Sequence, residues 1–322
     1  MTPHTKGLLF LFLVTLAWGL SFCLVKALSL ALGEGWGPAA GIISIRFLLA
    51  ALPLIGLQLL KGRWRPTAAE WRQGGLIAFF CATGMLLQAH ALSYTLASTS
   101  AFLTQGCAIL VPLWVALTRR QLPPAKILLP LALVIAGVAI LSGVDFRTFR
   151  MGRGEFETLL SCVFFTGLML TIESPRYART DKALVTVVFL LLGGLGALPL
   201  ALANGGGESL AILLGQGSTL LVMAVLAFIS TTLGFYWMVK WQPNVTATEA
   251  GIVYCLEPVW ASLLSLFLPV ILAGLMGVAY ANEQITLAMV LGGGLILSAS
   301  VLLALVTPPP KTAAPDLPKA GA

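Results

Sequence analysis

Apolar runs of about twenty residues, broken by short polar or glycine-rich stretches, fill nearly the whole chain. Ten of them lie near 7–26, 39–60, 74–95, 98–118, 124–143, 155–173, 183–203, 218–239, 246–268 and 286–306. A helix needs about 20 mostly apolar residues to cross a hydrocarbon core of roughly 30 Å. The pattern therefore predicts ten spanning α-helices joined by short loops. A Pro-rich stretch, 307–322, comes after them and is expected to be a disordered cytoplasmic tail. The run 7–26 has full spanning length and no small-residue cleavage site, so it reads as a first helix and not as a signal peptide.

The runs also repeat. Residues 98–118 (STSAFLTQGCAILVPLWVALT) align with 244–264 (NVTATEAGIVYCLEPVWASLL), placing Pro112 on Pro258, Trp114 on Trp260 and Ala101 on Ala247. The stretch from Leu131 through Gly137 to Leu141 matches that from Leu287 through Gly293 to Leu297, at an offset about ten residues longer. With five helices per half, the second half enters the membrane upside down. The expected organisation is an all-α membrane protein of two inverted five-helix repeats, 1–146 and 147–306.

Composition agrees: 58% of residues are hydrophobic and 10% charged, more apolar surface than a soluble protein of this size can bury. Basic residues in short loops mark the cytoplasmic side. With the N-terminus inside, fourteen of the nineteen Lys and Arg fall in inner segments, and only Arg147, Arg150 and Arg153 fall in outer loops. Both termini are thus expected in the cytoplasm of a cell with an inner membrane. The net charge of +7 is explained by these loops and calls for no nucleic acid. The five cysteines all fall within predicted helices without metal-ligand spacing, so neither disulfides, a metal nor another cofactor is expected. The Asn244-Val-Thr246 sequon falls in a predicted inner loop and reads as chance.

Several motifs carry a family resemblance. Trp18-Gly19-Leu-Ser-Phe22-Cys-Leu-Val-Lys26 and Arg46-Phe47-Leu-Leu-Ala-Ala51 mark the first two helices. Ala91-Leu-Ser-Tyr94-Thr95-Leu-Ala-Ser-Thr-Ser-Ala101-Phe102, Glu257-Pro258-Val259 and Gly292-Gly-Gly-Leu-Ile-Leu come after them in order. Together they resemble the EamA-type permeases of the drug/metabolite transporter superfamily, over about residues 7–306. The resemblance implies ten helices in two inverted halves, a central cavity, and movement of amino acids, metabolites or toxic compounds, usually outward. One departure stands out. The family's Gly-Glu pair, which usually comes about fifteen residues after Glu-Pro-Val, is matched here by Glu283, 26 residues after Glu257. The excess, beginning at Ser265, leaves two alternatives for 265–282: a lengthened and kinked ninth helix, or a re-entrant piece after it.

Ionisable groups inside a bilayer are costly and point at a cavity or a partner. Glu257 falls near the middle of the ninth run, next to Pro258, which removes a backbone hydrogen bond and frees a carbonyl. It either binds a cationic group or a proton, or locks helix packing. Trp18, Phe22 and Lys26 share a face of the first helix. Lys26 either snorkels to water or serves as a gate charge, with Glu173 as its counterpart at the repeat offset. Pro112 and Pro258 are candidate pivots. Arg46 calls for protein or trapped water around it and either has a structural partner or contacts the substrate, and His90 and Tyr94 are either hydrogen-bonded packing or a relay. Gln105, Tyr236, Tyr254 and Trp260 are further candidates for lining a cavity. Gly193-Gly194 and Gly292-Gly293-Gly294 suggest close helix contact.

The sequence has no GxxxxGK[ST] motif, no HExxH and no GxSxG, which argues against an ATP-driven pump and a membrane-embedded enzyme. The expected function is secondary transport of a small-molecule substrate by alternating access, with protons a candidate coupling ion. The competing class is a membrane scaffold or sensor. Substrate, direction and oligomeric state are not encoded in these patterns.

Overall fold

A computed structural model describes residues 1–62, 64–107, 110, 113–114, 125–141, 151–172, 174–203, 206–245, 250 and 253–306. Among them every regular element is helical. The helices are α1 (Pro3–Leu32), α2 (Trp36–Leu60), α3 (Ala68–Ala91), α4 (Ala97–Thr104), α5 (Leu128–Leu141), α6 (Arg153–Ile172), α7 (Lys182–Ala203) and α8 (Gly206–Gly215). Next comes α9, a continuous run of Gly217–Val225, a π-helical stretch Leu226–Leu233, and Gly234–Trp241. The last three are α10 (Glu257–Ser265), α11 (Leu268–Met276) and α12 (Leu287–Val306).

Six of these, α1, α2, α3, α6, α7 and α9, are long and apolar enough to cross a membrane. The pair α10 and α11 passes the same test together but bends by 61°. Shorter apolar helices lie at Leu128–Leu141 and Leu287–Leu303. The fourth apolar run begins in α4, and most of the rest of it lies outside the described residues, as do the expected boundary near 146 and the tail 307–322. For the ninth run the structure corrects the expectation of one helix. It is interrupted at Cys255–Leu256, and the excess residues form α11 after the bend, then an extended segment leading to α12. No helix was expected between the seventh and eighth runs, where α8 packs on α2, with Gly41 admitting Leu210 and Leu213.

Helix ends obey ordinary capping chemistry. Thr2 accepts from the Thr5 amide ahead of Pro3, and the turn into α2 uses Gly33 (φ 86°) and Gly35 (φ 123°), a region side chains resist. Thr67 and Glu70 form a reciprocal capping box at α3. Asn282 Oδ1 accepts from the Val270 amide at 3.0 Å, satisfying a donor in the first turn of α11.

The most extensive pairings are α2 with α7, α3 with α6, and α5 with α12; α1 packs along α9 and α10, and α6 also touches α4. Small residues set the crossings. Gly193 and Gly194 of α7 lie against Phe47, Leu48 and the Ser44 carbonyl of α2, and Ser44 Oγ donates to the Gly194 carbonyl at 2.8 Å. The larger apolar core runs through α1, α2, α3, α7 and α9, with Phe47 wholly buried and edge-on to Phe189, and a smaller one of Val134, Ala299 and Leu303 lies between α5 and α12.

Candidate functional site

Two polar groups stand out inside this apolar bundle. The first surrounds the π-helical stretch of α9, where each turn holds an extra residue and backbone carbonyls point off the regular ladder. Thr231 and Thr232 hold the wide turn by donating to Leu226 and Ala227, five residues back, at 3.0 and 3.1 Å. Thr232 also donates to the Ala50 carbonyl of α2. The fully buried Arg46 donates from Nε to Thr231 Oγ1 at 2.6 Å. Trp18, midway along α1, donates its indole N–H to the Ser230 carbonyl at 3.1 Å, and its ring stacks on Tyr254. Tyr254 in turn donates to Gln242 Oε1 at 2.9 Å.

Glu257 opens α10 beside this group. Its backbone carbonyl lies against Gly19 of α1, where any side chain would collide. Its carboxylate forms no hydrogen bond or ion pair with another described residue, and Pro258 behind it leaves the Tyr254 carbonyl without the donor a regular helix would supply. A carboxylate beside a freed carbonyl and an aromatic pair is suited to hold a cationic group or a proton.

The second group gathers around the turn from α3 to α4. His90, 1% exposed, has Nδ1 at 2.6 Å from Glu157 Oε2 of α6, and its ring stacks flat on Trp36 at the start of α2. Arg153 donates to Glu157 Oε1 at 2.9 Å and lies over the Tyr94 ring, 4.6 Å from its centroid. Thr95 Oγ1 donates to Glu155 at 2.5 Å. Lys26 does not reach for water. Its Nζ donates to the carbonyls of Leu92 and Thr95, at 2.8 and 2.5 Å, so neither carbonyl needs the helix to satisfy it. Glu283 accepts from the Ala97 amide at 2.7 Å and from Ser98 Oγ, capping α4. Tyr280 is buried beside Cys23 and Glu283; burial first, then those neighbours, pushes its phenol up, so it stays protonated.

Trp18, Arg46, Tyr254 and Glu257 thus share one region, and Lys26, His90 and Tyr94 share another. The remaining candidates join neither. Phe22 is buried in the core. Trp260 turns edge-on to Phe12, its indole N–H buried without a partner. Tyr236 is 39% exposed near the end of α9, beside Lys240. Gln105 ends α4. Glu173 and Pro112 lie outside the described residues. Sequence reasoning missed the π-helical stretch, for which the Thr231-Thr232 pair was the available signal. It also missed Glu157 and the role of Glu283, whose partners are distant in sequence.

Comparison with known proteins gives the class. Residues 5–143 match the family model of the EamA-like transporter family, consistent with an EamA-type permease of the drug/metabolite transporter superfamily. Its several long apolar helices indicate a multi-pass membrane protein. A solved crystal structure of another protein shares the fold, with a TM-score of 0.56 and 18% identity over 94% of this chain and 97% of that one. No curated protein matches the chain.

Proposed function

We propose that this protein is a secondary transporter of small organic solutes, such as amino acids, metabolites or drugs, working in an inner membrane by alternating access. Its expected orientation places both termini in the cytoplasm, and its expected direction is outward. The moving parts are two inverted five-helix halves, 1–146 and 147–306.

The observation that supports this reading is the exchange pattern of the packing. Numbering the ten runs in order, α2 on α7 and α5 on α12 each join a helix to its own counterpart. The contacts of α1 with α9 and α10 are mirrored by those of α6 with α3 and α4. Exchanging the halves therefore reproduces these principal contacts, as expected of a repeat whose two arrangements open to opposite sides. In this reading Trp18, Tyr254 and Glu257 contact the solute, and Pro258 gives α10 its freedom to pivot.

Uptake into proteoliposomes across a panel of amino acids and related metabolites, with and without a pH gradient, tests it for the wild type and Glu257→Gln. Transport by the wild type with loss of only the pH dependence in the variant assigns Glu257 to proton coupling. Transport in which the variant equals the wild type assigns Glu257 to packing and makes transport facilitative. No solute moved by the wild type would favour a scaffold or sensor.

A further inference from the structure

Lys26 and Glu283 act on the same turn, residues 90–98, from opposite sides. The backbone between α3 and α4 presents carbonyls at Leu92 and Thr95, and amides at Ala97 and Ser98. The ammonium of Lys26 takes both carbonyls. The carboxylate of Glu283 takes the amides, at 2.7 and 3.4 Å, and the Ser98 hydroxyl. Each charge meets the backbone pole of opposite sign, so the turn is held without a direct ion pair. Glu155 and Glu157 of α6 hold Thr95 and His90 of the same segment, and Trp36 of α2 stacks on His90. Residues 90–98 thus tie α1, α2, α6 and the segment before α12 together at one end of the bundle.

The opposite end differs. There the first turns of α1 meet the end of α9 and the residues just beyond it: Phe10 stacks on Trp241, and Gly7 lies against Val245. Among the described residues, the side-chain hydrogen bonds joining α1 to α3 or to the turn after it come from Lys26 and Ser29, both in the clasped half of α1. The ties of α1 to α3 and the turn after it are therefore gathered at one mouth, while the other end joins the start of α3 to the start of α7, where Glu70 Oε1 accepts from the Asp181 amide at 2.9 Å and Gln73 Oε1 accepts from Thr180 Oγ1 at 2.6 Å.

We propose that the 90–98 turn is a clasp that closes this mouth of the transporter, with Lys26 and Glu283 as its two locks, and that the structure is the state closed at that end. The inference rests on the transport reading above, but its mechanics can be tested without a substrate. Charge-assisted hydrogen bonds are the stronger kind, and those lost on opening are the ones that set the closed population. Glu283 also donates its own amide to the Ser265 carbonyl at 2.9 Å, so release of the turn leaves the carboxylate anchored on the α10 side.

Cys23 is the natural reporter. It is wholly buried, one turn before Lys26, facing Tyr280 and Glu283. In full-length protein with Cys81, Cys107, Cys162 and Cys255 replaced by Ala, reconstituted in liposomes, the labelling rate of Cys23 by a membrane-impermeant maleimide reads the clasp. Lys26→Met and Glu283→Gln should each speed labelling by about tenfold, the shift that losing one charge-assisted hydrogen bond produces. Ser98→Ala, which removes only a hydroxyl, should speed it by a smaller factor and decides the matter if the charge variants do not fold. Labelling of the wild type as fast as the variants, or no acceleration in any folded variant, would overturn the clasp. Transport with unchanged labelling would leave the transport reading standing without the clasp. Accelerated labelling with no solute moved would support the clasp and count against transport.

Discussion

Gly137 and Gly292 stand face to face where α5 crosses α12. A Cβ on Gly137 would lie 2.6 Å from the Gly292 carbonyl oxygen, and one on Gly292 would lie 2.8 Å from the Gly137 carbonyl oxygen. Backbone atoms cannot step aside as a flexible side chain can, so the two helices must part to admit even a methyl group. Gly137→Ala and Gly292→Ala should each destabilise the protein by about 1–3 kcal/mol, seen as a lower melting temperature in detergent. Gly294 faces open space, so Gly294→Ala should melt with the wild type. Wild-type melting in both crossing variants would show that this contact is dispensable.

The Arg46–Thr231 bond joins a buried guanidinium to the wide turn of α9. Thr231→Val removes the acceptor and leaves a buried charged donor short of a partner, a cost of about 1–3 kcal/mol. Thr231→Ser keeps the hydroxyl and should recover most of that loss. Denaturation of the two variants side by side checks this, and equal stability would mean that the hydroxyl is not what holds Arg46.

Glu157 and Arg153 form an ion pair whose members differ sharply in surroundings. Arg153 has 54% of its side chain exposed, against 9% for Glu157, which also faces the buried His90. Removing the exposed partner should change stability little, because water screens the pair. Glu157→Ala strands His90 and should cost more, about 1–3 kcal/mol. Comparing thermal melts of Arg153→Ala and Glu157→Ala tests the ordering; a reversal would locate the energetic weight on the surface arginine.

Gly277 ends α11 at φ 69° and ψ 29°, in the left-handed region. A side chain there costs about 1–2 kcal/mol, so Gly277→Ala should lower the melting temperature. Gly274, within the same helix and with nothing within 4 Å of its would-be Cβ, should accept alanine without loss. Equal behaviour of the two would mean that the turn after α11 relaxes readily.

Much of the helical layout was legible because spanning length is a property of each run alone. The six long helices could be read directly from it, and Gly292-Gly293-Gly294 suggested a close contact without naming α5 as the helix it meets. Contacts between distant runs could not. Every face of these helices is largely apolar, so periodicity says nothing about which side of α3 turns His90 towards Glu157, 67 residues away. The π-helical stretch of α9 escaped for a related reason: one residue more per turn leaves hydrophobicity unchanged, and only the threonine pair hints at it. Of the two alternatives for Lys26, snorkelling rested on its position near a helix end, whereas the carbonyls of Leu92 and Thr95 in the turn after α3 were closer than water. The helix α8 was hidden by its flanking glycines and its short length.

The excess residues after Ser265 come from the second half of the sequence, and they brace themselves with two bonds: Asn282 to the start of α11 and the Glu283 amide to Ser265. Both bonds lie within residues 265–283, so in the proposed cycle this stretch would travel with α10 as a rigid arm, and the Glu283 carboxylate at its tip would return to the same amides each time the turn is clasped.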